Sequence, residues 1–511
     1  MASLLTPSSS RADARRDHHL TSASVSMLAI GGTIGTGLFF SVSTVLQNGP
    51  FQTLVAMSFL SFLVMLILEM TAELAVFMPG NGSICKFQFV FLSEPLGLAN
   101  NLIYWASWGL TFALELSILV STSSYWDAAF VENYQTALIF CIWLVLTVFN
   151  LLPVDLYGKI EFWIALIKVV AIFCWILFVS ARLAWSGSLF HTYTADLPSS
   201  FFGAFDSPTS YVVRFINSLV FTSFIFQSVE SIAITTGDIE KPQETIPQVT
   251  RLIFVRIVLF YLISVILLTL TIAYNDDRLS IGGDSAKDTL ASSPFLISLI
   301  NCGLSDNGLL LSIFNFIIFS AILSAANSNI YFGSRCLQAV CETYSDRSKL
   351  AKTFEKANAI GVPVASVLGT SAIGLFALLL KFQTIATVFN FLLTCCASAG
   401  LLMWCLVGFS YVRFRKTLEY YEIDKAKMLY RSEWNLRFWA PLASVSIVVI
   451  LMCNGLSTYW NFSIFEFVGA YSTPAVFVAL WALFEINSGK GLRKIQEINI
   501  FGGDFRWNDD R

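Results

Sequence analysis

The segment Gly31-Gly32-Thr33-Ile34-Gly35-Thr36-Gly37 sets four glycines among seven residues of an otherwise apolar run. Each glycine costs a helix about 1 kcal/mol relative to alanine. Two chemistries fit. A broken helix would leave N–H groups at the start of its second half, where a carboxylate can bind. Gly31 and Gly35 also have the four-residue spacing that lets two helices pack closely. A second run, Phe224-Ile225-Phe226-Gln227-Ser228-Val229-Glu230-Ser231, holds Gln227 and Glu230 three residues apart, on one face if the segment stays helical. A carboxyl at bilayer depth costs at least about 3 kcal/mol, so it faces the bundle interior with a partner or a proton. Glu115 is a second such carboxyl. Glu115 and Glu230 are each open to three roles: proton carrier, ligand for an ammonium group, or protonated packing residue. Lys168 is the base read inside an apolar segment. A buried amine can take up and release a proton; the alternatives are a headgroup contact or a static ion pair. Lys168 lies nine residues beyond Lys159, about 13 Å deeper at the helical rise, which makes a headgroup contact awkward. Glu69 and Glu73, one turn apart, read as structural partners for Asn or Arg groups. Asn327 and Asn329 read as pocket-lining or kink-capping residues.

The elements that position these residues follow from composition. Of 511 residues, 56% are hydrophobic and 13% charged, with 46 Phe, and mean hydropathy is +0.70. Soluble domains carry about 25% charged residues, so the chain reads as an all-α polytopic membrane protein. Runs of about 20 apolar residues mark spans near 23–46, 51–77, 101–126, 135–152, 160–182 and 211–236. Six more lie near 252–274, 308–333, 362–381, 384–411, 438–456 and 463–485, making twelve. Arg182, Arg214, Arg278, Lys287 and Lys381 fall in loops of one side. The other side takes 25 of the 31 Lys and Arg, with Arg256 counted in its third loop and Lys168 inside a span. That bias predicts that both termini are cytoplasmic. The polar N-terminal tail 1–22 lacks a cleavage site of the signal-peptide kind, so the first apolar segment is expected to be retained. The charged loops near 334–361 and 412–437 read as solvated faces beside lipid headgroups.

Several function classes find no support. A net charge of −3 offers no basic stripe for nucleic acid. Ten cysteines without a CxxC pair point to no disulfide framework and no cysteine metal site. His18, His19 and His191 lie outside the spans, and no GxSxG, HExxH or Walker sequence occurs, so neither an enzyme nor an ATP-driven pump is expected. No metal or other cofactor is called for.

The interruptions fall in spans 1 and 6, five helices apart, as expected of two five-helix inverted repeats with a substrate at their crossing. The residues resemble the fungal amino-acid permeases, the yeast amino acid transporter family of the amino acid–polyamine–organocation superfamily. Gly31 to Phe39 resembles the family's first-span signature, Glu73-Leu-Ala with Pro79 the end of its second span, and Leu114-Glu115-Leu116 its third. Lys168 matches a fifth-span lysine. Phe224 to Glu230 and Gly237 to Pro247 resemble span 6 and the loop after it, and Leu323 to Tyr331 with Arg335 resembles span 8. The likeness covers roughly 25–485.

The resemblance implies a secondary transporter that carries an amino acid together with a proton by alternating access, using broken helices 1 and 6. Its transport core would be 23–411, joined through the loop 412–437 to two extra helices in 438–485 and a tail 486–511. It implies a substrate site at Thr33, Gly35, Thr36, Gly37, Phe224, Gln227, Ser228 and Glu230. The carboxylate would meet N–H groups around Gly35 to Gly37, the ammonium would meet carbonyls near Phe224 to Ser228, and Phe224 would act as gate. Lys168, Glu230 and Glu115 are the proton-coupling candidates; lysine at this position would stand in for a bound sodium ion. Ser41, Ser43 and Ser228 depart from the family, which usually has glycines there, and Ser228 takes up room beside the site. Expected partners are an amino acid, protons and the bilayer. Expected substrates are neutral or broad first and basic second, with uptake at the plasma membrane. The rival from another class is an amino-acid sensor of the same fold; such sensors carry long extensions, whereas the tails here are short.

Overall fold

The computed structural model describes residues 34–80, 82–186, 208–239, 241–279, 293–305, 307–345, 348–381, 385–423, 427–459 and 462–501, with Met27 and Phe505. Thr33, Gly31, Gly32 and the tail 1–22 lie outside the described residues, as do Lys287 and the end of the 486–511 tail.

Regular structure among the described residues is helical. In chain order it comprises α1 (Gly37–Leu46), α2 (Pro50–Phe77), α3 (Ser83–Phe91), α4 (Glu94–Ser123), α5 (Ala128–Phe149), α6 (Val154–Ser186) and α7 (Pro208–Ile225). There follow α8 (Pro242–Thr271), α9 (Pro294–Leu304), α10 (Gly308–Tyr344), α11 (Val364–Leu380), α12 (Ile385–Tyr420), α13 (Leu436–Cys453) and α14 (Ile464–Ser488). Ten helices among the described residues are long and apolar enough to cross a membrane. The shorter α1 and α11 occupy the places of the expected first and ninth spans.

Local sequence sets the helix starts. Gly49, at φ +106°, turns the chain into Pro50 at the head of α2, the N-terminal position proline tolerates best. The side chains of Ser93, Asp127 and Asn307 accept the N–H groups of Leu96, Phe130 and Leu310 and cap α4, α5 and α10. Hydroxyls inside the bundle bond back along their own helices, as Ser117 does to Ala113 and Ser410 to Leu406. That satisfies polar groups where no water is at hand. α4 and α12 are largely buried, while α5 and α14 turn apolar side chains such as Val145 and Val478 outward.

Several boundaries differ from those expected. α10 continues to Tyr344 and α12 to Tyr420, so Arg335 and the start of the 412–437 loop are helical. The start of the 334–361 segment is not the solvated face expected of it: Arg335 is buried and paired with Asp238, so α10 runs on inside the bundle. Arg256, assigned to a loop, is a fully buried residue of α8. The short helices α3 and α9 had too little apolar length to register as spans.

Candidate functional site

The sixth span is broken as expected. α7 stops at Ile225; Ser228 then sits at φ +77°, ψ −4°, and the chain resumes as one tight turn, Val229–Ala233. A left-handed conformation at a non-glycine residue is costly. Only Ser228 and Glu422 adopt it among the described non-glycine residues. The turn at Ser228 separates Gln227 from Glu230, so the shared face expected from their spacing does not form. Gln227 points its amide nitrogen at the carbonyl of Cys396 on α12, beside Gly400, where a Cβ would meet the Gln227 side chain. Glu230 turns away and accepts from the Tyr104 hydroxyl over 2.8 Å.

The start of α1 faces this break. A Cβ on Gly37 would lie 3.1 Å from Ile225 Cα, and one on Gly35 would lie 2.5 Å from Ala325 Cβ on α10. Close packing is therefore real at both glycines. A cavity is present as well. A narrow space of about 30 Å³ is lined by Gly35, Thr36, Gly37, Phe224, Gln227 and Ser228, together with Trp108, Thr111, Glu115 and Asn329. Glu115 accepts the Thr36 hydroxyl, and the Thr36 backbone N–H faces the same carboxylate. Asn329 Nδ2 and Trp108 Nε1 are buried and make no hydrogen bond of ordinary geometry, the indole having the Cys336 thiol beside it.

Seven expected residues thus converge: Gly35, Thr36, Gly37, Phe224, Gln227 and Ser228 with Glu115. Glu230 is buried but outside the cavity wall. Lys168 lies beyond the wall, where its charge reaches Glu115. It donates to Ser324 Oγ over 2.6 Å and stands 3.6 Å from Glu161 Oε1. Sequence reading passed over Trp108, Thr111 and Glu161. Trp108, Thr111 and Glu115 follow an i, i+3, i+7 pattern, and Glu161 precedes Lys168 by two turns, so same-face spacing was the available signal. Of the two expected to pair with Asn or Arg groups, Glu73 lies beside an arginine and Glu69 meets a tyrosine instead. Glu69 accepts Tyr430, and Glu73 accepts Tyr411 and the Ser432 N–H beside Arg415. Asn327 is held by Asn150, 2.6 Å away.

Outside the spans, Asp276 binds Arg278 at 2.6 Å. Partial burial opposes its ionisation, yet the Arg278 hydrogen bonds and charge outweigh it and hold the carboxyl below its ordinary value.

A sequence profile of the amino acid permease family matches residues 24–497. The chain is 31% identical to the lysine-specific permease of Saccharomyces cerevisiae, covering 95% of this chain and 79% of that protein. It is 32% identical to the lysine/arginine permease of Candida albicans, covering 92% and 80%, and 30% identical to the proline-specific permease of Emericella nidulans, covering 95% and 88%. In fold it resembles the crystal structure of the Eremococcus coleocola manganese transporter, with TM-score 0.53, 13% identity, and 97% and 98% of the two chains covered.

Proposed function

The chain belongs to the amino acid permease family and is a multi-pass, non-enzymatic amino-acid transporter, and from that premise we propose that it is a proton symporter whose substrate binds between α1 and the break after α7. The observation that carries this reading is the cavity itself: the start of α1 and the break after α7 both line it, with a carboxylate at its edge. The substrate's carboxylate meets the N–H groups around Gly35, Thr36 and Gly37, and the resemblance adds Thr33 to the binding residues. Its ammonium meets the carbonyls freed between Phe224 and Ser228, and Phe224 covers it. Glu115 holds the Thr36 donors. An arriving carboxylate competes for those donors, and a Glu115 displaced into a narrow apolar cavity takes a proton more readily than it stays charged. Lys168, within electrostatic reach of Glu115, is the second coupling group. Glu230 has no substrate contact in this scheme and ties the inner half of the sixth span to α4.

Two inverted five-helix repeats fit the element order. In each half a long second span, α2 or α8, precedes a short helix, α3 or α9. The core 23–411, with α13 and α14 outside it, follows from that arrangement. The Lys/Arg bias supports cytoplasmic termini. The fungal relatives support a plasma-membrane address and uptake into the cytosol. For the substrate we move basic amino acids ahead of neutral ones, because relatives named for lysine and arginine cover nearly the whole chain. The relatives' names give the sensor reading no support.

The test is uptake of each of the twenty radiolabelled amino acids into permease-deficient yeast, at about pH 5 and about pH 7.5, with and without a protonophore. Basic amino-acid uptake that collapses with the protonophore is the expected result. Uptake that ignores the protonophore refutes symport. Saturable binding without uptake by surface-expressed protein refutes transport.

A further inference from the structure

The Lys168 site contains a carboxylate with no role so far. Glu161 is 2% exposed, and it meets Lys168 through a hydroxyl as well as directly. Lys168 Nζ donates to Ser324 Oγ, and the Ser324 hydroxyl donates to Glu161 Oε1. Cation, hydroxyl and carboxylate form a three-member relay whose donors all point the same way, from α6 to α10 and back to α6.

The relay also has a continuation. Ser328 Oγ, one turn along α10, donates to the Ser324 carbonyl and lies 2.9 Å from the Tyr157 hydroxyl. The Tyr157 ring stacks on Tyr331 at 4.8 Å, and the Tyr331 hydroxyl donates to Asp238 over 2.6 Å. Asp238, its side chain 18% exposed, also pairs with Arg335. Polar groups thus lie at intervals between the buried pair and Asp238 at the edge of the bundle, with a ring contact and not a hydrogen bond joining Tyr157 to Tyr331. The ionisable groups facing the pair are Glu115 of α4, which acts on Lys168, and Tyr157, whose hydroxyl is under the influence of both Glu161 and Arg335.

We propose that Glu161 is the proton acceptor for Lys168 in the transport cycle. The Lys168 ammonium gives a proton to the Ser324 oxygen as the Ser324 hydroxyl gives its own to Glu161. One N–H and one O–H bond break, two O–H bonds form, and a neutral amine and a neutral carboxylic acid remain. Glu161 later gives up that proton to water as the helices around it move, and a proton entering from the opposite side recharges Lys168. A charged buried pair and its neutral form lie close in free energy, because mutual attraction in a dry interior roughly offsets lost hydration. The pair can therefore switch form as the helices around it move. Such a switch gives the proton gradient a hold on α10, which also borders the substrate cavity through Ala325 and Asn329.

The inference rests on the symport reading, and wild-type protein tests that reading first. Accumulation of the amino acid taken up fastest should fall about tenfold with a protonophore. Wild-type uptake indifferent to the protonophore removes the premise itself. Glu161→Gln is then assayed for exchange of internal unlabelled for external labelled substrate without a gradient, and for net accumulation. Exchange should stay within about twofold of wild type, while accumulation falls about tenfold and loses its difference between about pH 5 and about pH 7.5. Ser324→Ala, which removes only the relaying hydroxyl, should show the same split in weaker form and serves also where Glu161→Gln fails to reach the surface. Wild-type accumulation and pH profile in either variant overturn the inference while leaving symport intact. Equal loss of exchange and accumulation in both variants, at normal surface abundance, makes the pair a structural brace and overturns it too.

Discussion

Gly35→Ala separates the two explanations for the glycine-rich first span. The new Cβ would stand 2.5 Å from Ala325 Cβ and 3.6 Å from Glu115 Oε1. The second contact is ordinary; the first is more than 1 Å short of carbon–carbon contact distance. Neither partner is the end of a flexible chain, so α1 and α10 must separate. Overpacking of this kind costs about 1–3 kcal/mol. If that cost falls on the transport-competent arrangement, initial uptake drops by about 5- to 150-fold at about 1.4 kcal/mol per decade. Ala325→Gly alone removes a methyl from a helix interior and costs about 1 kcal/mol. Combining the two moves the methyl from one helix to the other, so Gly35→Ala/Ala325→Gly should recover most of the lost uptake, with a coupling energy of about 1–3 kcal/mol. The assay is the initial rate of radiolabelled lysine uptake per surface-exposed molecule, with all four members of the cycle side by side. A Gly35→Ala defect that Ala325→Gly does not relieve, at normal surface abundance, would refute the packing argument. It would show that Gly35 is needed for the substrate's access to the backbone and not for the approach of α10.

Ser228→Gly should be tolerated and admit bulkier amino acids, since glycine takes φ +77° without strain and clears the hydroxymethyl group. Ser228→Val should lose surface expression, because a β-branched residue in that conformation costs about 1–2 kcal/mol more; competition uptake and surface labelling read both. Glu73→Ala leaves Arg415 with its buried anion gone and should cost about 3–5 kcal/mol, whereas Tyr411→Phe removes one hydrogen bond at about 1 kcal/mol; thermal melts of the solubilised protein rank them. The Asp276 carboxyl is held below its ordinary value, so its stabilisation is present above about pH 4 and is lost as pH falls through the depressed value. Asp276→Asn should therefore lower the melting midpoint equally at about pH 5 and about pH 7.5 and converge with wild type only in stronger acid.

How much of this was legible in the sequence depended on whether the relevant contact is local. The break in span 6 was, because intramembrane polar residues are a property of a short run; the interruption expected of span 1 falls at Gly31 to Thr33, outside the described residues. Ser228 stood out by type, and its left-handed backbone supplies the physical reason. The same turn defeated the inference drawn from it: spacing places Gln227 and Glu230 on one face only while the helix continues, and one left-handed residue between them sends them to α12 and α4. The break that creates the site therefore removes a residue from it. Arg335 misled for a different reason, since hydropathy windows end a span where charge begins while the helix runs on. Glu161 is the instructive omission. It lies just past the cytoplasmic start of an expected span, where a carboxylate reads as a headgroup contact, and only α10 crossing behind it brings Ser324 between it and Lys168. Two same-face turns would have paired acid with base. The hydroxyl that turns the pair into a relay comes from a helix 156 residues further along the chain, and nothing in the local sequence announces it.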